Sequence, residues 1–188
     1  MPSQRRLKPN FVRTGQCVEF ELQRLEALYR LARDLCPDDF IAEETRELAR
    51  LYDYVPLGFV DSLRKEIARK LDLPLEIFSL DRFSIHGCGP VGLHDDFFRF
   101  PYVYFVIVVA HSGRLGLIDE TSRAARHKPG DIILLDPRRK HGLVVEGLTA
   151  EQHAYERTHS PVHDEDSQFM FLDFDVRRPD LRARLRQA

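Results

Sequence analysis

The stretch YVYFVIVVA, residues 102–110, decides the fold. Successive side chains of a β-strand point to opposite faces, so a strand wet on one side alternates apolar with polar residues. This one does not alternate, and it predicts a central strand covered on both faces, by a barrel interior on one side and by helices on the other.

The cover is found upstream. Phe20, Leu22, Leu25, Leu28, Leu31 and Leu35 recur at every third or fourth position, the period of an amphipathic helix that ends at CPDD, 36–39. A second helix is expected through AEETRELARLY, 42–52. A third carries Phe59, Val60, Leu63, Ile67 and Leu71 on one face, and LDLP, 71–74, stops it. From residue 75 the segments become short, β-branched and aromatic, with glycine and proline between them. The expected strands are EIFSLDRFSIH (76–86), GLHDDF (92–97), the central run, RLGLID (114–119), DIILLD (131–136), HGLVVE (141–146) and QFMFLDFDV (168–176). With no helix-length segment between them, they imply a mainly β fold with N-terminal helices, a sandwich or barrel rather than a parallel α/β sheet. The predicted organisation is a single domain over 1–188, with supporting helices at 18–71 and a β core at 75–178. GLTAEQHAYERTHSPVHDEDSQ, 147–168, interrupts the strand series as a long irregular loop.

Composition restricts the function classes. A net charge of −2, from 28 basic and 30 acidic residues, offers no polycationic face for a phosphate backbone, so nucleic acid is not expected as a partner. The arginine-rich ends, QRR (4–6) and RRPDLRARLRQ (177–187), read as solvated termini. No apolar stretch approaches the length of a membrane span, and no apolar region follows the basic start, so a soluble, cytoplasmic protein is expected. Cys17, Cys36 and Cys88 lack metal-ribbon spacing and suit reduced thiols.

Within GPVGLHDDFFRFP, 89–101, His94 and Asp96 stand two apart and would share a strand face. With 8 histidines and 30 acidic residues, chance alone supplies about 1.3 such pairs, so the pair acquires meaning only from its surroundings. A second pair, His163 and Glu165, lies in the charged loop and reads as solvated. The surroundings of His94 include a third arm: after the turn at Pro129-Gly130, a strand and the turn PRRK, His141 opens the next strand beside Gly142. It stands 47 residues after His94 (141 − 94), across the barrel from it on this reading. Two histidines and a carboxylate leave three positions of an octahedral iron(II) open for a cosubstrate and dioxygen. His86 and Cys88 read as a strand histidine and a small buried thiol. Phe97, Phe98, Phe100, Tyr102 and Tyr104 read first as barrel packing, with a substrate pocket as the alternative.

The order RFSIHGCGPVGLHDD, a hydrophobic strand, SGRLGLID, KPGDIILLDPRRKHG and a last strand LDFDVRRP resembles the iron(II)- and 2-oxoglutarate-dependent dioxygenases, including relatives that hydroxylate aspartyl residues or proline. The resemblance covers about residues 75–178. It implies a double-stranded β-helix (jelly roll, cupin-like), iron(II) on His94, Asp96 and His141, and hydroxylation of a small molecule or of an amino-acid or protein side chain. Oxidative decarboxylation of 2-oxoglutarate to succinate would accompany it. Arg138, Arg139 and Lys140 beside the distal histidine suit an anionic or amino-acid-like molecule. The family's cosubstrate anchor, a basic residue near the start of the last strand, is replaced by Ser167 and Gln168. The cation for the distal carboxylate of 2-oxoglutarate is therefore sought at Arg114, which opens a strand, or at Arg157 in the loop. Two other classes stay open: a metal-dependent cupin enzyme that does not use 2-oxoglutarate, and a metal-free jelly-roll binding module.

Overall fold

The computed structural model describes residues 11–16, 19–40, 44–78, 80–100, 102–120, 124–159 and 167–177. Two antiparallel sheets face each other. The main sheet holds, in spatial order, β1 (Phe11–Gln16), β8 (Asp131–Leu135), β5 (Val103–His111), β10 (Phe169–Arg177), β3 (Phe83–Cys88) and β2 (Arg46–Glu47). The smaller sheet holds β4 (Val91–His94), β9 (His141–Val145), β6 (Leu115–Ile118) and β7 (Ala125–Arg126). From β3 onward the chain crosses repeatedly between the two sheets, which is the double-stranded β-helix.

β5 is covered on both faces, as its composition predicts. Val106, Val108 and Ala110 meet the helices, in one core with Met170, Leu172 and Phe174 of β10. Ile107 and Val109 point the other way, into the space between the sheets, where they join Leu117, Ile133, Leu143 and Phe169. The helical cover is α1 (Glu19–Leu35), which buries Leu25, Leu28, Tyr29 and Ala32, and α2 (Leu57–Leu71), which buries Phe59, Val60, Leu63, Ile67 and Ala68. α2 ends as LDLP predicts. Asp72 takes the left-handed conformation (φ 51°), which an aspartate tolerates better than most residues, and the Leu73 N–H returns to the Ala68 carbonyl. Among the described residues no helix is long and apolar enough to cross a membrane.

Four expectations change. The helix expected over 42–52 is absent across the described part of that range. Arg46 and Glu47 pair with Gly87 and His86 as an edge strand, and Ala49–Tyr54 forms a 3-10 helix. The reason is tertiary: the Leu48 N–H continues the pairing to the Ile85 carbonyl, and Leu48 and Leu51, three apart, both reach the helical core. The strand expected from 76 begins only at Phe83, because Leu75–Ile77 and Leu80–Arg82 are single 3-10 turns. β1 and the two-residue β7 were not anticipated. Finally, the irregular stretch after Gly147 contains α3 (Ala150–His159), started by a reciprocal cap in which the Gln152 N–H donates to Thr149 Oγ1 and the Thr149 N–H to Gln152 Oε1. That Thr-x-x-Gln box was readable in the sequence. His163 and Glu165 lie outside the described residues, as do Cys17 and the basic segments at 4–6 and beyond 177.

Because β5 is closed in on both faces, truncating it opens a cavity that the sheet cannot fill. Ile107→Ala should lower the unfolding free energy in urea by about 2–5 kcal/mol, whereas Leu80→Ala, on the exposed 3-10 turn, should change it by less than about 0.5 kcal/mol.

Candidate metal centre

β4 and β9 are neighbours in the smaller sheet, and His94 sits directly opposite His141 in their register. The two histidines are therefore cross-strand partners and do not face each other across the barrel, as the spacing had suggested. Asp96 is not on the strand either. β4 ends at His94, and the chain turns so that the Asp96 carbonyl accepts from the Arg99 and Phe100 N–H groups. The carboxylate still arrives beside the histidines, because the Asp96 N–H donates to the Pro137 carbonyl at 2.7 Å. That bond ties the turn after β4 to the turn before β9.

Asp96 Oδ2 lies 3.4 Å from His141 Nε2 and 3.8 Å from His94 Nε2, and the imidazole centroids are 4.6 Å apart. One ligand atom from each residue lies within 4.8 Å of the others, the one such group of three among the described residues. The opposite nitrogens are committed elsewhere. His94 Nδ1–H donates to the Gly92 carbonyl at 2.8 Å, and His141 Nδ1–H to the Arg139 carbonyl at 2.9 Å. A carbonyl only accepts, so each Nδ1 carries a proton, and in the neutral imidazole each Nε2 turns a lone pair toward Asp96. Burial pushes the Asp96 carboxyl up, but beside imidazoles protonated at Nε2 as well, the hydrogen bond from His141 and the charges of His141, His94 and Arg99 outweigh it and leave the pKa below the usual carboxylate range. Two lone pairs and a carboxylate converging on one point call for a cation between them, and a divalent metal meets that need with ligands held from behind.

The close approach of the two strands depends on Gly142. A β-carbon there would lie 2.9 Å from the Val91 carbonyl oxygen and 3.2 Å from the Gly92 carbonyl, backbone atoms that cannot swing aside. Gly92 belongs to the same clamp, since its carbonyl holds His94.

Around the open side, Phe98 is 93% exposed, Tyr102 76%, Phe97 47% and Phe100 36%. Phe97, Phe98 and Tyr102 do not pack the barrel as first read; they stand exposed in the segment that follows Asp96, and Phe100 leads inward through an edge contact with Phe105, 5.0 Å between centroids. Tyr104 does pack, against the helical core. Arg138 is bonded to Asp136 in the turn before His141. Arg114 is not brought to the triad. It is exposed in the turn between β5 and β6, and its carbonyl accepts from Glu146, past the end of β9 opposite to His141. Sequence spacing could not reveal this, because β6 runs antiparallel to β9 and pairs Leu115 with Val145. Arg157 lies on α3, with its side chain outside the described residues.

No protein-family model matches the chain, and no curated protein matches it in sequence. Solved structures do match in shape. AviO1 from Streptomyces viridochromogenes Tue57 has a TM-score of 0.52 at 13% identity, covering 92% of this chain and 91% of its own. SnoK, a non-heme alpha-ketoglutarate-dependent carbocyclase from nogalamycin biosynthesis, has a TM-score of 0.52 at 10% identity, covering 90% and 79%. SnoN, an epimerase of the same dependence and biosynthesis, has a TM-score of 0.52 at 11% identity, covering 89% and 77%. At these identities the likeness establishes the shared fold.

Gly142→Ala should push β4 from β9 and weaken manganese(II) binding by about tenfold or more, the usual scale for disturbing the groups that hold metal ligands. Gly92→Ala, whose added β-carbon meets nothing within 4 Å, should bind as the parent does. Calorimetric titration of the purified protein reads both.

Proposed function

We propose that the chain is an iron(II)- and 2-oxoglutarate-dependent oxygenase that oxidises a C–H bond of a small molecule or an amino-acid side chain. On this reading residues 1–188 form one dioxygenase-like domain, with helices at 18–71 supporting a core at 75–178. The observation that carries it is the convergence of His94 Nε2, His141 Nε2 and an Asp96 oxygen, with both Nδ1 atoms already bonded to backbone carbonyls. The shared fold with two alpha-ketoglutarate-dependent enzymes supports it.

His94, Asp96 and His141 would hold the iron. When bound, that iron would couple oxidative decarboxylation of 2-oxoglutarate to oxidation of the substrate. The protein's own contribution is placement and exclusion of water. The two carbonyl clamps keep the imidazoles from turning, the Asp96–Pro137 bond keeps the carboxylate on their side, and the aromatic rim at Phe97, Phe98 and Phe100 offers apolar surface to an entering substrate.

The distal carboxylate of 2-oxoglutarate requires a cation, and among the described residues no arginine or lysine is buried. With Arg114 at the far end of β9, the anchor falls to Arg157 or to Arg99, whose charge acts on Asp96. The lack of a buried cation also favours a second reading, a metal-dependent cupin enzyme acting directly on a chelating substrate.

Anaerobic addition of iron(II) and 2-oxoglutarate should produce a weak visible charge-transfer band that is lost in His94→Ala, Asp96→Ala and His141→Ala but kept in His163→Ala. Iron at one per chain without the band, and without succinate release, would establish the second reading. Wild-type stoichiometric iron in a His94→Ala, His141→Ala double variant would remove the site altogether.

A further inference from the structure

Strand alternation turns Asp173 and Asp175 of β10 to the same side as Phe169 and Phe171, into the space between the sheets. Register fixes their depth. Asp175 stands level with Phe105 of β5 and Leu135 of β8, and Leu135 is the last residue before the turn that leads to His141. Asp173 is one rung deeper, level with Ile107 and Ile133. Phe105 in turn meets Phe100, from the turn that begins at Asp96. Both carboxyls therefore stand at the triad's end of the sandwich.

Asp173 is 7% exposed, and its Oδ1 is buried with no hydrogen-bond partner. Its Oδ2 lies 4.0 Å from His86 Nε2, beyond hydrogen-bond length. The His86 ring lies over Phe171, 5.1 Å between centroids and 26° from parallel, and its Nδ1 is likewise buried without a partner. Burial first, and then the charge of Asp175, push the Asp173 carboxyl well above the usual range. Arg82 draws Asp175 the other way without overcoming its burial, and no buried arginine or lysine among the described residues serves Asp173. An inward carboxyl with a free oxygen, set among an imidazole and phenyl rings, suits a positively charged nitrogen. The oxygen accepts its N–H, and ring faces attract its charge. The same wall offers a carboxylate no buried arginine or lysine among the described residues.

We propose that the barrel interior beside the triad binds the cationic nitrogen of an amine- or guanidine-bearing small molecule, with Asp173 as its anionic partner. The oxygenase reading is needed only for the next step, in which a nitrogen seated on Asp173 places a nearby carbon of the same molecule at the triad. Phe171 and Phe105 flank the nitrogen, and Phe100 and Phe98 extend apolar cover from it to the mouth.

Hexylammonium, 1-hexanol and hexanoate carry one alkyl chain on three head groups, and they can be titrated into the isotope-labelled full chain without iron, following backbone amide shifts. Hexylammonium should bind at least about tenfold more tightly than either of the others, with its largest shifts at 84–86 and 171–175. Asp173→Asn should bring hexylammonium down to the level of 1-hexanol. The His94→Ala, His141→Ala double variant should keep the preference, so that failure of the metal reading leaves this result standing. Equal binding of hexanoate or 1-hexanol by the parent protein would overturn the proposal, as would shifts confined to the outer surface. So would an undiminished preference in folded Asp173→Asn, and the comparison in the parent protein decides even if that variant does not fold.

Discussion

Where β4 passes β9, two backbones come closer than a side chain would allow, and the candidate centre depends on that contact. Gly142 leaves the room, the Val91 carbonyl fills it, and His94 and His141 are left facing one another from adjacent strands. The contact does more than bring the rings near. Each imidazole is held through Nδ1 by a carbonyl two residues before it, Gly92 for one and Arg139 for the other, so the two Nε2 atoms are oriented by the same local device on both strands. Only the carboxylate needs a longer tether, and the Pro137 carbonyl supplies it from the neighbouring turn.

The main sheet gives this contact a rigid floor. Its helix-facing side is packed by α1 and α2 into an apolar core, so the sheet meets solvent on neither face over most of β5 and β10. The side toward the smaller sheet divides by depth. Its lower part carries Val109 and Phe169, with His86 on the rung of Val109 and Phe171, while Asp173 and Asp175 stand one and two rungs nearer the triad. Polar groups in a packed β interior are costly unless something answers them. Asp173 and Asp175 lie toward the end of the sandwich where His94, Asp96 and His141 gather.

Much of this was legible in the sequence, for reasons that can be named. The two-faced run at 102–110 announced a central strand because burial on both sides removes polar residues from both parities, and the apolar period of three to four announced α1 and α2. His94, Asp96 and His141 could be picked out together because the strand end and the strand start that carry the histidines are punctuated by glycine and proline. What could not be read was relative placement. Cross-strand pairing made neighbours of the histidines, antiparallel register carried Arg114 away from them, and an edge strand replaced a helix at Arg46–Glu47 because the β3 edge offered its backbone groups a partner. Asp173 was hidden for a similar reason. In a line of text it alternates with Met170, Leu172 and Phe174 and resembles any polar residue on the wet side of a strand, whereas that side is roofed by the second sheet.

The bond from Asp96 to the Pro137 carbonyl has an evolutionary consequence. It makes the loop after β4 and the loop before β9 inherit one another's geometry, so an insertion in either would displace a triad residue held by the other. Exchange of side chains at constant length would leave that coupling intact. The exposed aromatic stretch at Phe97–Phe100 and Tyr102 and the inward-facing positions of β10 are free of it, and residues there can change without moving the carbonyls that hold the histidines.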